Sequence, residues 1–138
     1  MKFIFKFLIL VLFTTIYIQA NEYQYEETIE LSKDEYKKFL VKYDEIQKMF
    51  KFRWTLYAND TLVVLRSYDR IVAQNILELR AKRKSFRVDL KPSGAGYNDT
   101  PYVLIKFVEY DYSTNKAVFK LFLSDRNLKV GLEHLENE

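Results

Sequence analysis

Between residues 23 and 31 apolar and polar positions alternate, with Tyr23, Tyr25, Ile29 and Leu31 set against Gln24, Glu26, Thr28 and Glu30. A period of two puts one set on each face of a strand, so this stretch reads as a half-buried strand. Glu27 breaks the apolar face, which places the strand near the edge or end of a sheet. The rhythm then changes. Ser32 and Glu35 have the spacing of a capping box, in which each side chain satisfies a backbone N–H at a helix start. Tyr36, Phe39, Leu40, Tyr43, Ile46 and Phe50 recur at intervals of three and four, while Lys37, Lys38, Lys42, Asp44, Glu45 and Lys48 take the other face. This pattern predicts one amphipathic helix over residues 32–50.

Residues 52–58 and 61–68 alternate again around Asn59-Asp60, a dipeptide suited to a tight hairpin. An unbroken register sets Tyr57 opposite Leu62, Leu56 opposite Val63, Trp54 opposite Leu65 and Arg53 opposite Arg66. Phe52, Trp54, Leu56, Val63 and Leu65 then share the core face. Residues 69–84 fit both periods: Ile71, Ala73, Leu77 and Leu79 form a strand face, whereas Ile71, Val72, Ile76 and Leu79 form a helix face. A strand between two hairpins is the preferred reading, with a second helix at about 69–83 as the alternative. Phe86, Val88 and Leu90 alternate with charged residues, and an irregular loop at 92–101 follows, with both prolines and two of the three glycines. Residues 102–111 and 116–124 make a second hairpin around Ser113-Thr114-Asn115, with Asn115 in the left-handed position. That turn sets Phe107 opposite Leu121 and Ile105 opposite Leu123. Leu128, Val130 and Leu132 suggest a last short strand.

The expected fold is therefore α+β: an N-terminal strand and one amphipathic helix packed on a curved antiparallel meander of about six strands. In architecture alone this plan resembles cystatin-like folds, and the resemblance implies nothing about function.

The first residues carry an address. Lys2 and Lys6 precede an apolar run at 7–18, and Gln19-Ala20 ends it with a small residue. The run is shorter than the roughly 20 residues a membrane-spanning helix needs, so residues 1–20 read as a cleavable signal peptide. Residues 21–138 form one domain, periplasmic or secreted, with no stable membrane insertion after cleavage. The signal takes two lysines and no acid with it, so the net charge of +3 falls to +1. A nearly neutral exported domain has no global attraction to nucleic acid. Cysteine is absent and there is a single histidine, His134. Thiol nucleophiles, thiolate metal sites, disulfides, histidine triads and multi-histidine zinc sites are thereby excluded. No cofactor is expected.

Four features carry candidate chemistry. Arg53 and Arg66, flanked by Tyr57 and Tyr68, form a candidate anion or carboxylate site, since guanidinium groups pair bidentately with such ligands. A salt-bridge network with Asp69, Glu26 or Glu30 is the alternative. The loop at 92–101 presents Tyr97 and Asn98 as contact groups. Arg80, Lys82, Arg83, Lys84 and Arg87 form a basic run suited to anionic lipid or acidic glycan, or simply to a solvated turn. Tyr102, Leu104, Val108, Tyr110, Tyr112 and Phe122 line the outer face of the second hairpin, where an exposed apolar patch would mark a partner surface. His134 reads as a surface residue. The leading expectation is a non-enzymatic exported domain that binds a protein partner or ligand in the cell envelope. A small-ligand carrier with a pocket between helix and sheet is the second reading. A carboxylate-dependent hydrolase drawing on Glu109, Asp111, Asp69 or Asp99 is the third, although no spacing selects a pair.

Overall fold

The structure, a computed structural model, describes residues 23–90, 100–126 and 129–136. The expected signal at 1–20, Tyr97, Asn98 and Asp99 lie outside the described residues. Nine strands follow one another: β1 (Tyr25–Ser32), β2 (Lys37–Tyr43), β3 (Ile46–Ala58), β4 (Thr61–Tyr68), β5 (Ile71–Glu78), β6 (Ser85–Asp89), β7 (Tyr102–Asp111), β8 (Lys116–Ser124) and β9 (Gly131–Leu135). They form a four-stranded sheet, β1-β8-β7-β6, and a five-stranded sheet, β5-β4-β3-β2-β9, both antiparallel. No helix occurs among the described residues, so none of them crosses a membrane as a helix.

The expected α+β fold, with its helix at 32–50, is thus replaced by an all-β sandwich. The local signal at Ser32 is real but ends differently. Glu35 accepts a hydrogen bond from Ser32 N–H at 2.8 Å, and Glu35 N–H returns one to Ser32 O at 3.1 Å. This is one half of a capping box closing a single turn, after which the chain runs on as β2. Phe39, Val41 and Tyr43 enter the core on alternate positions, and Phe50, Phe52 and Trp54 do the same on β3. Asp44 takes a φ of 52° in the two-residue turn between them. The helical stripe left Val41 unused. Burying it together with the aromatic and β-branched residues around it favours two strands. The alternative second helix at 69–83 is absent too, since Ile71–Glu78 is a strand paired with β4 through an Asp69-Arg70 turn.

The sheets face each other across an aromatic core. Phe52 lies 5.3 Å from Phe119 and 6.4 Å from Phe86, both in the opposite sheet. Phe39, Phe50, Phe107 and Leu121 are fully buried beside them. These rings fill the space between the two sheets.

Two irregularities set which residues reach that core. Between β3 and β4 the pairing follows the expected register near the turn, Tyr57 with Leu62 and Leu56 with Val63, then shifts to Trp54 with Val64. Thr55 is the extra residue of this bulge. A one-residue slip exchanges faces. Leu56, expected in the core, is 57 % exposed, and Leu62 and Val64 fill the core in place of Val63 and Leu65. Between β7 and β8 a four-residue turn and a bulge at Val108 set Phe107 with Phe119 and Ile105 with Leu121. That register stands two residues from the expected one and keeps the same face. Asn115, at a φ of 55°, occupies the left-handed position as anticipated.

Candidate functional site

The same two bulges create an aromatic cluster at one end of the sandwich. Beyond Thr55, Tyr57 turns inward, and beyond Val108, Tyr110 does so from the other sheet. Their rings stack at 4.0 Å with an interplanar angle of 9°. Trp54 meets Tyr110 edge-on at 5.8 Å, and the Tyr57 hydroxyl lies 2.9 Å from that of Tyr112 and 3.1 Å from Asp60 Oδ1. Sequence reasoning had assigned Tyr57 to one candidate surface and Tyr110 and Tyr112 to another. The fold joins them, with Tyr112, 71 % exposed, forming the outer rim of the cluster at 5.0 Å from the Tyr110 ring.

The expected Arg53–Arg66 pair does not form. Arg53 lies opposite Leu65 on the outer face, while Arg66 lies opposite Phe52 on the inner face. Arg66 donates to Asn75 Oδ1 at 2.7 Å, and its guanidinium covers the Phe86 ring at 5.4 Å. It closes the opening between edge strands β5 and β6. Burial lowers its pKa below the usual guanidinium value, and Asp89 opposes that shift. Tyr68 reaches across the same opening, donating to Leu90 O at 2.6 Å.

The opposite opening, between β1 and β9, is closed by His134. Its Nε2 lies 2.7 Å from Glu27 Oε2 and 3.3 Å from the Tyr25 hydroxyl, and its ring packs at a tilt against Phe39 at 4.9 Å. Glu27 does sit on an edge strand, as its interruption of the apolar pattern implied. His134 is a surface residue, as expected, and it also tethers the two sheets.

On the outer face of the second hairpin, Tyr102 is buried beneath Arg87 at 3.8 Å and Arg126 at 5.3 Å, and Tyr23 packs on both Tyr102 and Phe122. Leu104 is half-buried and Val108 is exposed at its bulge. The basic run divides: Arg80 pairs with Asp60 at 2.9 Å and Arg87 with Asp89 at 2.7 Å. Among the proposed catalytic carboxylates, Asp69 pairs with Lys48 at 2.8 Å. Asp111 holds the β7–β8 turn through Ser113 Oγ and two backbone N–H groups, and the Ser113 hydroxyl leads in lowering its pKa. Among the described residues no three His, Asp or Glu side chains gather closely enough to hold a metal ion.

The exposed apolar surface lies elsewhere, on the outer face of the five-stranded sheet. Leu56, Val63 and Ile76 form a cross-strand row there, followed by Leu65 and Val72. Ile76 is 51 % exposed and Val72 is 72 % exposed. Beside this row a groove of about 440 Å³ is lined by Tyr36, Lys51, Arg53, Leu65, Arg70 and Val72, among others. The Tyr36 ring holds Lys51 Nζ at 5.1 Å and the Arg53 guanidinium at 4.9 Å. Asp34, at 3.7 Å, is a distant counter-ion for Arg53, and the buried Arg53 Nε has no hydrogen-bond partner among the described residues. Lys51 and Arg70 have no carboxylate within ion-pair distance among those residues. The arrangement suits an anionic group held between two fixed cations above an apolar floor. The sequence contained the signal in its alternation, but the bulge at Thr55 was needed to turn Leu56 outward.

Comparison of the chain with protein-family models, with curated proteins and with solved structures gave no match.

Three tyrosines give the fold an alkaline limit. The Tyr25 hydroxyl is pushed up to about 12, chiefly by its hydrogen bond to Glu27. Burial leads in raising Tyr57 and Tyr68. A raised folded-state pKa means the fold favours the neutral phenol. Its contribution is therefore complete below the ordinary value of 10.0 and is lost as pH rises through the folded value. Circular dichroism should be steady to about pH 10 and decline towards pH 12, in step with phenolate absorbance. Full titration of every tyrosine near pH 10 with an intact spectrum would contradict these contacts.

Proposed function

We propose that this chain is an exported, non-enzymatic β-sandwich module that binds a protein partner in the cell envelope through the outer face of its five-stranded sheet. The observation that carries the reading is the Lys51–Tyr36–Arg53 arrangement beside the exposed Leu56, Ile76 and Val72 and the half-buried Val63. A monomer seldom leaves so contiguous an apolar surface bare, and the adjoining cations select a partner that presents carboxylates next to apolar groups. Export rests on the charged start, short apolar run and Gln19-Ala20 of the sequence. Of the residues the sequence marked for ligands, Arg53 and Arg66 both line the groove, Arg66 while holding Asn75 and the Phe86 ring. Tyr57 and Tyr68 belong to the frame behind it.

Capture from envelope extract tests the reading. The wild-type protein should retain a specific partner whose affinity falls with added salt. Lys51→Glu together with Arg53→Glu should weaken retention at least about thirtyfold, the loss expected when buried charge pairs are broken. Melting temperature should fall only modestly, since both side chains are half-buried on the outer face and neither reaches the core. Equal capture by wild type and the double variant would dismiss this face.

A further inference from the structure

The edge at β5 differs from the three other sheet edges. An edge strand exposes unpaired backbone groups, and proteins guard such edges with charge, proline, bulges or brevity. β1 carries Glu26, Glu27 and Glu30. β6 and β9 have 5 residues each and include Arg87 and Asp89, or Glu133 and His134. β5 has one charge, Glu78, at its last residue. From Ile71 to Leu77 it holds no charged residue, proline or glycine, and it pairs with β4 without a register shift. Ile71, at 74 %, adds to the exposed Val72 and Ile76.

The direction of its free backbone groups follows from the ladder. Glu78 N–H donates to Arg83 O at 2.8 Å, away from β4, whereas Leu79 N–H donates to Asp60 O at 3.0 Å, towards it. Bonding direction alternates along an antiparallel strand. The N–H and C=O groups of Val72, Gln74 and Ile76 therefore point away from β4 as well, and no other described strand receives them.

We propose that the protein forms a symmetric homodimer by antiparallel pairing of β5 with β5 of a second copy, centred on Gln74. In this register Gln74 faces the partner's Gln74, and Val72 faces the partner's Ile76 on each side of the two-fold axis. All of these are outward-bonding positions, so each facing pair exchanges both of its backbone hydrogen bonds. The ladder ends at Glu78, whose outward N–H is held by its own Arg83, and the same register brings the Arg70 side chain towards the partner's Glu78 side chain at both ends. Neither Arg70 nor Glu78 has an ion-pair partner among the described residues. A shift of one residue would place outer-face side chains against inner-face ones. A shift of two would separate Arg70 from Glu78 and lose bonded pairs. One register thus satisfies backbone, apolar and charged groups together, which is the self-complementarity an isologous interface requires. Pairing joins the two five-stranded sheets into one continuous sheet; Arg70 and Val72 border the groove as well as the seam, whereas Lys51 and Arg53 lie outside the seam, so separate variants read dimerisation and partner capture.

Sedimentation velocity of the protein expressed from its full-length sequence, over a wide concentration range, tests the proposal. The wild type should pass from monomer to dimer as concentration rises. Arg70→Glu places like charges together at both ends and should raise the dimer dissociation constant roughly tenfold. Glu78→Arg should do the same, and the two changes combined should restore the wild-type value because the exchanged charges meet again. Val72→Lys should abolish the dimer while the Trp54 fluorescence spectrum stays native. If that variant unfolds, the Arg70 and Glu78 exchange still decides. A wild type that is monomeric throughout overturns the proposal, as does a dimer whose dissociation constant the double exchange fails to restore.

Discussion

Phe52→Ala should cost about 3–5 kcal/mol of folding free energy, the range for removing a buried aromatic ring. Phe52 is completely buried, touches Phe50 at 5.8 Å within its own sheet, and meets Phe119 and Phe86 of the facing sheet. Removing the ring leaves a cavity at the junction of both sheets, and their backbones are too well paired to collapse into it. A domain this size has about 5–15 kcal/mol in total, so the variant should keep little margin. Its melting temperature should fall by about 15 °C or more, measured by calorimetry. No disulfide is present to limit the loss. Leu56→Ala is the matched control: its exposed side chain should change stability by less than about 0.5 kcal/mol. Equal effects at the two positions would mean that the bulge at Thr55 does not divide inner from outer residues.

Tyr110→Asp should destabilise the protein by about 3 kcal/mol or more, by placing a carboxylate among rings with no cation to receive it. Tyr110 is packed between the Tyr57 face and the Trp54 edge, and stacked pairs add about 0.5–1.5 kcal/mol beyond the area they bury. The sequence pattern alone, continued without a bulge, would leave Tyr110 on the outer face, where the same change would be mild. Phe122→Asp provides that comparison, because Phe122 is half-buried beneath Tyr23 on the outer face. Urea denaturation of both variants should show the larger loss at Tyr110. A larger loss at Phe122 would place Tyr110 outside the core.

Much of the local architecture was legible. The first strand, both hairpins, the left-handed Asn115 and the edge position of Glu27 follow from alternation and turn chemistry. Residues 32–50 were not legible, because Phe39, Tyr43 and Phe50 satisfy a helical stripe and a pair of strands equally well. Even the Ser32–Glu35 contact forms in the structure, and it closes a turn rather than starting a helix. The candidate site was half visible. Arg53 and its aromatic neighbourhood stood out, but its association with Tyr36, Lys51 and an exposed apolar row depended on where the bulge fell.

The sequence by itself determined that this is a cysteine-free, aromatic-rich chain with a single histidine. It also determined most strand positions, because a period of two is a local property. Only the tertiary structure decided that the segment after Ser32 is a hairpin, that Tyr57 and Tyr110 meet, and that Leu56 and β5 face solvent. The physical reason is that one inserted residue inverts every side chain beyond it, and no residue in isolation announces that insertion. Its placement is settled by how two sheets fill one core.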